Sequence, residues 1–249
     1  MSDLTNRSAL VTGGGSGVGA GIALSLARAG AKVTIVGRTK TSLQSIASQH
    51  KAIKWASCDV GDSQALAALV ETSNGFDIVI ANAGAADSKP FIQMSTADLQ
   101  SMLDINLIGV FNTWKATLGG MKEQGWGRLI ATASTAGLKG YPYASGYCAA
   151  KHGVVGLTKA LALELAHTGI TVNSICPGFV ETPLLEASIS NIVQKTGRSR
   201  DQAEKALKAN NPQQRFIQTG EIAQTVLWLC SGHSASITGQ SISISGGET

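Results

Sequence analysis

The chain is poor in charge, with 20 basic and 16 acidic residues among 249, and it carries no dense Lys/Arg tract. That removes the electrostatic footprint of a nucleic-acid or anionic-membrane binder. No stretch is long and apolar enough to cross a bilayer, and the polar start from Met1 to Arg7 lacks the apolar core of a signal segment. Cysteine is scarce and dispersed: Cys58, Cys148, Cys176 and Cys230 form no Cys-x-x-Cys pair and no metal-ligand spacing with the four histidines. No metal site is expected, and the thiols read as reduced and buried in a cytoplasmic protein. Linkers, repeats and low-complexity stretches are also missing, so residues 1–249 read as one domain.

What is present is a rhythm of short apolar, β-branched runs and longer helical patterns. Strands are expected at Ser8–Thr12, Lys32–Gly37, Ala52–Ala56, Asp77–Ala81, Gly127–Ala131, Thr171–Cys176 and Ser241–Ile244. Helices are expected at Gly17–Ala29, Lys40–His50, Asp62–Thr72, Ala97–Gln124, Ser145–Thr168 and Glu221–Cys230. Fully apolar strands alternating with helices imply an α/β fold, a doubly wound parallel sheet of about seven strands with helices on both faces. One polar segment breaks the rhythm. Glu181–Arg215, helical in pattern from Leu184 to Ala209, reads as a lid inserted over the site.

The run Thr12-Gly-Gly-Gly-Ser-Gly-Val-Gly19 follows the first strand and opens the first helix. Gly13, Gly17 and Gly19 allow a tight turn and a close approach of phosphate to backbone, and the amides of Ser16, Gly17, Val18 and Gly19 then face the anion. Tight packing alone also calls for glycine, but strand, turn and helix in this order point to a dinucleotide. No Lys-Ser/Thr follows, which excludes a nucleoside-triphosphate P-loop. At the end of the second strand, where NAD enzymes place a carboxylate, the chain has Gly37-Arg38-Thr39. Arg38 can pair with a 2′-phosphate, with a hydroxyl added by Thr39. NADP(H) is favoured and NAD(H) stays open, since Ser16 adds no charge and a solvated surface charge is the alternative reading of Arg38.

Tyr147 and Lys151 are four residues apart, on one face of the long helix expected there. A tyrosine hydroxyl titrates near ~10, and an ammonium with an oxidised nicotinamide beside it lowers that value. Such a tyrosine can exchange a proton with an alcohol or an alkoxide. Ser134, directly after the fifth strand, can hydrogen-bond the same oxygen.

With these residues in view the chain resembles the classical short-chain dehydrogenases/reductases over essentially its whole length. The matching elements are Thr12–Gly19, Asp59-Val60, Asn82-Ala83-Gly84, Asn106, Ser134, Tyr147 with Lys151, Asn173, Pro177-Gly178 and Thr182. The resemblance implies a Rossmann-type fold and a catalytic set of Asn106, Ser134, Tyr147 and Lys151. In it Ser134 orients the carbonyl, Tyr147 is the acid/base, Lys151 tunes Tyr147 and holds the ribose, and Asn106 anchors a relay water. It further implies that Asp59 and Val60 flank the adenine, that Asn82 and Gly84 line the cofactor channel, and that Pro177, Gly178, Val180 and Thr182 border the nicotinamide. Ala81 stands where the family usually has asparagine.

The stretch from Lys151 to Pro183 is most similar to ketoreductases of 3-oxoacyl thioesters. Secondary-alcohol, 3-hydroxyacid and cyclic alcohol dehydrogenases share much of it, and a non-catalytic cofactor-binding protein on the same fold is a third reading. Substrate contacts are expected from Ser134, Tyr141, Tyr147, Leu184 and Leu185, and the partner from this reading is a small ketone, alcohol or acyl thioester. Lid cations such as Lys195, Arg200, Lys208 and Arg215 suit the phosphates of coenzyme A, though a solvated helix face is the commoner explanation of such a pattern. A basic residue just before Gly169-Ile-Thr-Val-Asn173, frequent in carrier-protein reductases, is replaced by His167-Thr168. The resemblance also implies a homotetramer.

Overall fold

The computed structural model describes residues 3–249. Its seven strands are β1 (Ser8–Thr12), β2 (Lys32–Gly37), β3 (Ile53–Ser57), β4 (Ile78–Ala81), β5 (Gly127–Thr132), β6 (Ile170–Pro177) and β7 (Ser241–Ile244). They form one parallel sheet in the order β3-β2-β1-β4-β5-β6-β7. The chain runs outward from β1 to β3, then returns to place β4 against the other side of β1. The direction of winding therefore reverses between β1 and β4, which opens a crevice at the carboxyl ends of those strands.

Side-chain alternation divides the core in two. Ala9, Val11, Ile78, Ile80 and Ile130 face one layer, while Leu10, Val79, Ala81, Leu129 and Ala131 face the other. The first layer is closed by α1 (Gly17–Arg28), α2 (Lys40–Ala47) and α9 (Thr219–Cys230), through Ile22, Leu26, Leu43 and Val226. The second is closed by α3 (Ser63–Glu71), α5 (Gly109–Gln124) and α6 (Ser145–Glu164), through Leu66, Trp114, Met121 and Val154. Burial on both faces explains why the strands read as unbroken apolar runs. Among the described residues no helix is long and apolar enough to cross a membrane.

Local chemistry sets the helix ends. The Asp62 carboxylate accepts from the amides of Gln64 and Ala65, both at 3.0 Å, and starts α3. Gly125, at φ +65°, stops α5 in the left-handed region. The guanidinium groups of Arg7 and Arg128 stack on the Trp126 ring at 3.7 and 4.3 Å, which ties the start of β5 to the segment before β1.

Two expectations need correction. The helix expected over Ala97–Gln124 is interrupted: α4 (Thr96–Leu103) passes through a π-helical turn at Asp104–Ile108 before α5 begins. The Asn106 side chain is the cause, since its Nδ2 donates to the Met102 carbonyl, four residues back, at 3.1 Å. That carbonyl would otherwise belong to the helical ladder. The lid pattern over Leu184–Ala209 is likewise two helices, α7 (Pro183–Thr196) and α8 (Arg200–Lys208), parted at Gly197 with φ +69°.

The central strand sets the stability of this sheet. Ile80 is fully buried in the first layer. Ile80→Ala should lower stability by about 2–5 kcal/mol, read as a reduced urea midpoint at unchanged slope. A loss well under 1 kcal/mol would contradict this account of the core.

Candidate active site

The glycine turn is built by contacts from the neighbouring strand. The Thr12 hydroxyl accepts from the amides of Asn82 and Ala83 at 2.9 and 3.0 Å, and the Asn82 Nδ2 donates to the Thr12 carbonyl at 3.0 Å. Asn82 is thus spent on holding the turn, whereas its neighbours Ala83 and Gly84 border the groove. Gly13 has φ +65°, and a Cβ there would lie 2.9 Å from Ala83 Cα; a Cβ on Gly19 would lie 2.4 Å from the Gly13 carbonyl. Both positions require glycine. Ser16, before α1, makes no side-chain cap bond, and the first turn with Gly17, Val18 and Gly19 holds no acid. Its opening amides therefore remain available to an anion.

The groove continues along Gly15, Ser16, Arg38, Thr39, Asp59, Val60 and Gly84. Arg38 and Thr39 are exposed, and no ion pair engages Arg38 among the described residues. Val60 is buried, and its carbonyl accepts from Asn112 Nδ2 at 3.0 Å. The shape and the donor set fit a dinucleotide with its pyrophosphate at α1 and its ribose toward Arg38. Ser42, Leu43, Cys58 and Ile105 also line this groove and were not read from the sequence. Ser42 had a signal: it falls in the first turn of α2, where its hydroxyl donates to the Thr39 carbonyl at 2.9 Å and lies 2.7 Å from a Cβ built on Gly15.

Ser134, Tyr147, Lys151 and Asn106 meet at the carboxyl ends of β4, β5 and β6. Ser134 follows β5 and accepts from the Ala136 amide at 3.1 Å, which leaves its hydroxyl proton to donate elsewhere. Lys151, only 3% exposed, donates from Nζ to the Thr132 carbonyl at 2.8 Å and lies 5.6 Å from the Tyr147 ring centre. Asn106 is fully buried in the π-helical turn, with Nδ2 donating to Ala85 O at 2.9 Å. A Cβ at Gly84 would sit 2.7 Å from Asn106 Oδ1 and 3.6 Å from Lys151 Nζ, so glycine keeps the space between these groups open.

In the free protein, burial sets the titration of the pair. Burial pushes the Tyr147 phenol up to about 12, against a smaller opposing effect of the Ser134 hydroxyl. Burial also brings the Lys151 ammonium down to about 8. Desolvation favours the neutral form of each group, the phenol of Tyr147 and the amine of Lys151.

The substrate side is only partly as expected. The Tyr141 hydroxyl is engaged by Glu248 and lies 2.6 Å from Thr135 Oγ1, and its ring stacks edge-on against Phe179 at 6.1 Å. Leu185 is not directed to a substrate: it packs with Ile189, Ala203 and Phe216 in a small core between α7 and α8. Leu184 is the exposed one of the pair. Thr182 caps α7, and its side chain would stand 3.3 Å from a Cβ on Gly17, tying the lid to the glycine turn. Pro177 ends β6, the Gly178 amide donates to the Ile244 carbonyl at 3.1 Å, and Val180 is buried beside Ile217. Arg200, Lys208 and Arg215 are paired with Glu186, Glu204 and Glu221.

The lysine shift has a measurable consequence. Its folded value of about 8 lies below the ordinary 10.5, so between those values the unfolded chain binds the extra proton. Stability attributable to this group therefore rises as pH climbs through about 8 and is missing below it. Denaturant titrations near neutral pH and near pH ~9.5 should show wild type gaining on Lys151→Met as pH rises. Parallel pH profiles would refute the assignment.

A family model described as enoyl-(acyl carrier protein) reductase matches residues 13–249. The chain is 37% identical to a putative ketoacyl reductase of Streptomyces coelicolor, over 99% of this chain and 98% of that one. It is 35% identical to D-beta-hydroxybutyrate dehydrogenase of Rhizobium meliloti, over 98% of each. The structure superposes on that of a single-substitution variant of actinorhodin polyketide ketoreductase with NADPH at a TM-score of 0.93 and 35% identity, covering 100% of this chain and 99% of that one. A seven-stranded parallel sheet, a glycine turn at its switch point and a Ser-Tyr-Lys cluster beside it agree with these likenesses. The chain belongs to the short-chain dehydrogenase/reductase family, on its ketoreductase side, and is an oxidoreductase of alcohol and ketone groups.

Proposed function

We propose that the protein is an NADP(H)-dependent ketoreductase acting on a 3-oxoacyl substrate. The observation that carries this reading is the convergence of Ser134, Tyr147 and Lys151 beside Gly84, at the end of a groove whose far wall holds an unpaired Arg38. Bound there, the nicotinamide ring supplies or accepts the hydride. Ser134 donates to the carbonyl oxygen and fixes its position. Tyr147 gives that oxygen its proton, and its high value in the free protein keeps the proton in place until then. Lys151 holds the ribose hydroxyls and, with Asn106, refills the proton on Tyr147 through water. Arg38 with Thr39 and Ser42 receives the 2′-phosphate, a role supported by the absence of any carboxylate at the end of β2. α7 and α8 act as the substrate lid, with Leu184 turned to the substrate.

A second reading, an NAD(H)-dependent 3-hydroxyacid dehydrogenase, takes its support from the 35% identical hydroxybutyrate dehydrogenase. Recognition of coenzyme A phosphates by the lid gains little from the structure, since three of its cations are committed to carboxylates. A homotetramer is part of the proposal, and the exposed Phe111 on α5 and Leu163 on α6 suit buried contacts between copies.

Nicotinamide absorbance with NADPH or NADH, against acetoacetyl-CoA and a cyclic ketone, tests the reading. NADPH oxidation with the thioester supports it; turnover only with NADH and ring ketones replaces it by the second. Tyr147→Phe should lose turnover by roughly a thousandfold or more while NADPH binding, followed by fluorescence, is kept. Arg38→Glu should raise the KM for NADPH by about tenfold to a hundredfold and leave that for NADH unchanged or lower. Equal effects on both cofactors would sever Arg38 from the phosphate.

A further inference from the structure

The chain after β7 turns back into the molecule. Gly246 and Gly247 have φ +67° and +97°, in the left-handed range that a side chain would strain. A Cβ on Gly246 would collide with the buried Asn211 side chain, and one on Gly247 would lie 3.5 Å from Pro212. The tail is thus seated against the segment that leaves α8. Thr249 fastens it on the other side, with Oγ1 2.6 Å from Ser243 Oγ and its amide donating to Ser245 Oγ at 3.3 Å. Between these fixings Glu248 points inward, and its side chain is 1% exposed. Gly178, after β6, makes room for it: a Cβ there would lie 3.2 Å from Glu248 Oε2, which is enclosed without a hydrogen-bond donor.

A carboxylate buried this deeply depends on the donors that reach its other oxygen. Both come from the loop between Ser134 and Tyr147. The Lys139 ammonium lies 2.9 Å from Oε1, and the Tyr141 hydroxyl donates to the same oxygen. Burial first, and then the bond to Glu248, hold the Tyr141 phenol well above its ordinary range, so it stays a donor. A phenol has one proton, so the 2.6 Å contact between Tyr141 and Thr135 Oγ1 is donated by the threonine. The chain of bonds runs from Thr135 through Tyr141 to Glu248. Thr135 adjoins Ser134, and its carbonyl accepts from the amides of Leu138 and Lys139, both at 2.9 Å. The same turn is pressed onto α6, since a Cβ on Gly137 would lie 2.8 Å from the Lys151 carbonyl. The Ser134 hydroxyl accepts from the Ala136 amide within this turn, so the direction of its own proton follows the turn's placement. Removing the carboxylate would free the Tyr141 proton to swing toward Thr135, and the loop would lose its tie to the tail.

We propose that Glu248 is a positioning residue for Ser134: it anchors the loop over residues 134–141 through Lys139, Tyr141 and Thr135, and so keeps the Ser134 hydroxyl aimed at the substrate carbonyl. The inference rests on the ketoreductase reading above, in which Ser134 donates to that oxygen.

The test first finds which ketone, acetoacetyl-CoA or a cyclic ketone, wild type reduces with NADPH or NADH. Single-turnover rates are then measured with enzyme in excess, and active sites are counted by cofactor fluorescence so that loss of folded protein does not enter the rate. Glu248→Ala should slow the turnover by about tenfold to a hundredfold with cofactor binding unchanged. Glu248→Gln keeps an acceptor for Tyr141 and should recover most of that loss. Tyr141→Phe should also slow the turnover and add little to Glu248→Ala. In a Ser134→Ala background Glu248→Ala should cost little more, because no hydroxyl is left to aim. A merely structural tail would slow both backgrounds by the same factor. That result, or a Glu248→Ala enzyme as fast as wild type, overturns the role of Glu248 and leaves the ketoreductase reading intact. A wild type that reduces no ketone with either cofactor overturns both.

Discussion

Lys151 carries an ammonium group into a site where the Thr132 carbonyl, at 2.8 Å, is its hydrogen-bond acceptor. No carboxylate pairs with it among the described residues. A cation held this way is destabilised by desolvation, and its value falls to about 8. Tyr147, on the same helix face, is pushed the opposite way to about 12. The free protein therefore keeps the tyrosine protonated and the lysine close to losing its charge. Much of the surrounding architecture serves to maintain this pair: the carboxyl ends of β5 and β6, the absence of a side chain at Gly84, and the buried Asn106 in its π-helical turn.

That turn illustrates how a functional side chain bends regular structure to its need. Asn106 takes the Met102 carbonyl from the helix and the Ala85 carbonyl from the loop after β4. By doing so it fastens α4 and α5 to the strand end that borders the cofactor groove. The same economy holds at the other end of the groove. Thr12 and Asn82 tie β1 to β4, so the glycine turn is positioned by the two strands at the switch point rather than by its own residues.

Much of this was legible in the sequence. Strands burying both faces announce themselves as apolar runs, so β1, β2 and β7 fall where the pattern puts them, β4 and β5 shift by one residue at one end, and β3 and β6 by one residue at both ends. Glycines at Gly13 and Gly19 were legible because their reason is steric and local. Other features were hidden for physical reasons. The π-helical turn forms where the Asn106 side chain, which also reaches Ala85, takes the Met102 carbonyl, and periodicity cannot reveal that. Leu184 and Leu185 are adjacent and equally apolar, and only the packing of α8 against α7 decides that Leu185 goes inside. Glu248 lies far in sequence from Lys139 and Tyr141, and nothing local marks it as buried. The expectation that Lys151 and an oxidised nicotinamide lower Tyr147 concerns the loaded site; the desolvation of the pair in the free protein depends on packing that no local pattern reveals.

The central claim is that burial raises the ionisation of Tyr147 in the free protein above the ordinary tyrosine value and that a bound cationic ring brings it down. Phenolate absorbance reports this directly, with Tyr147→Phe subtracted to remove Tyr141 and Tyr143. Without ligand, the Tyr147 component should be absent until pH values well above the ordinary tyrosine range. With saturating NADP⁺ it should move toward neutral pH. A Tyr147 titration that is already low in the free protein, or that NADP⁺ leaves in place, would contradict the account.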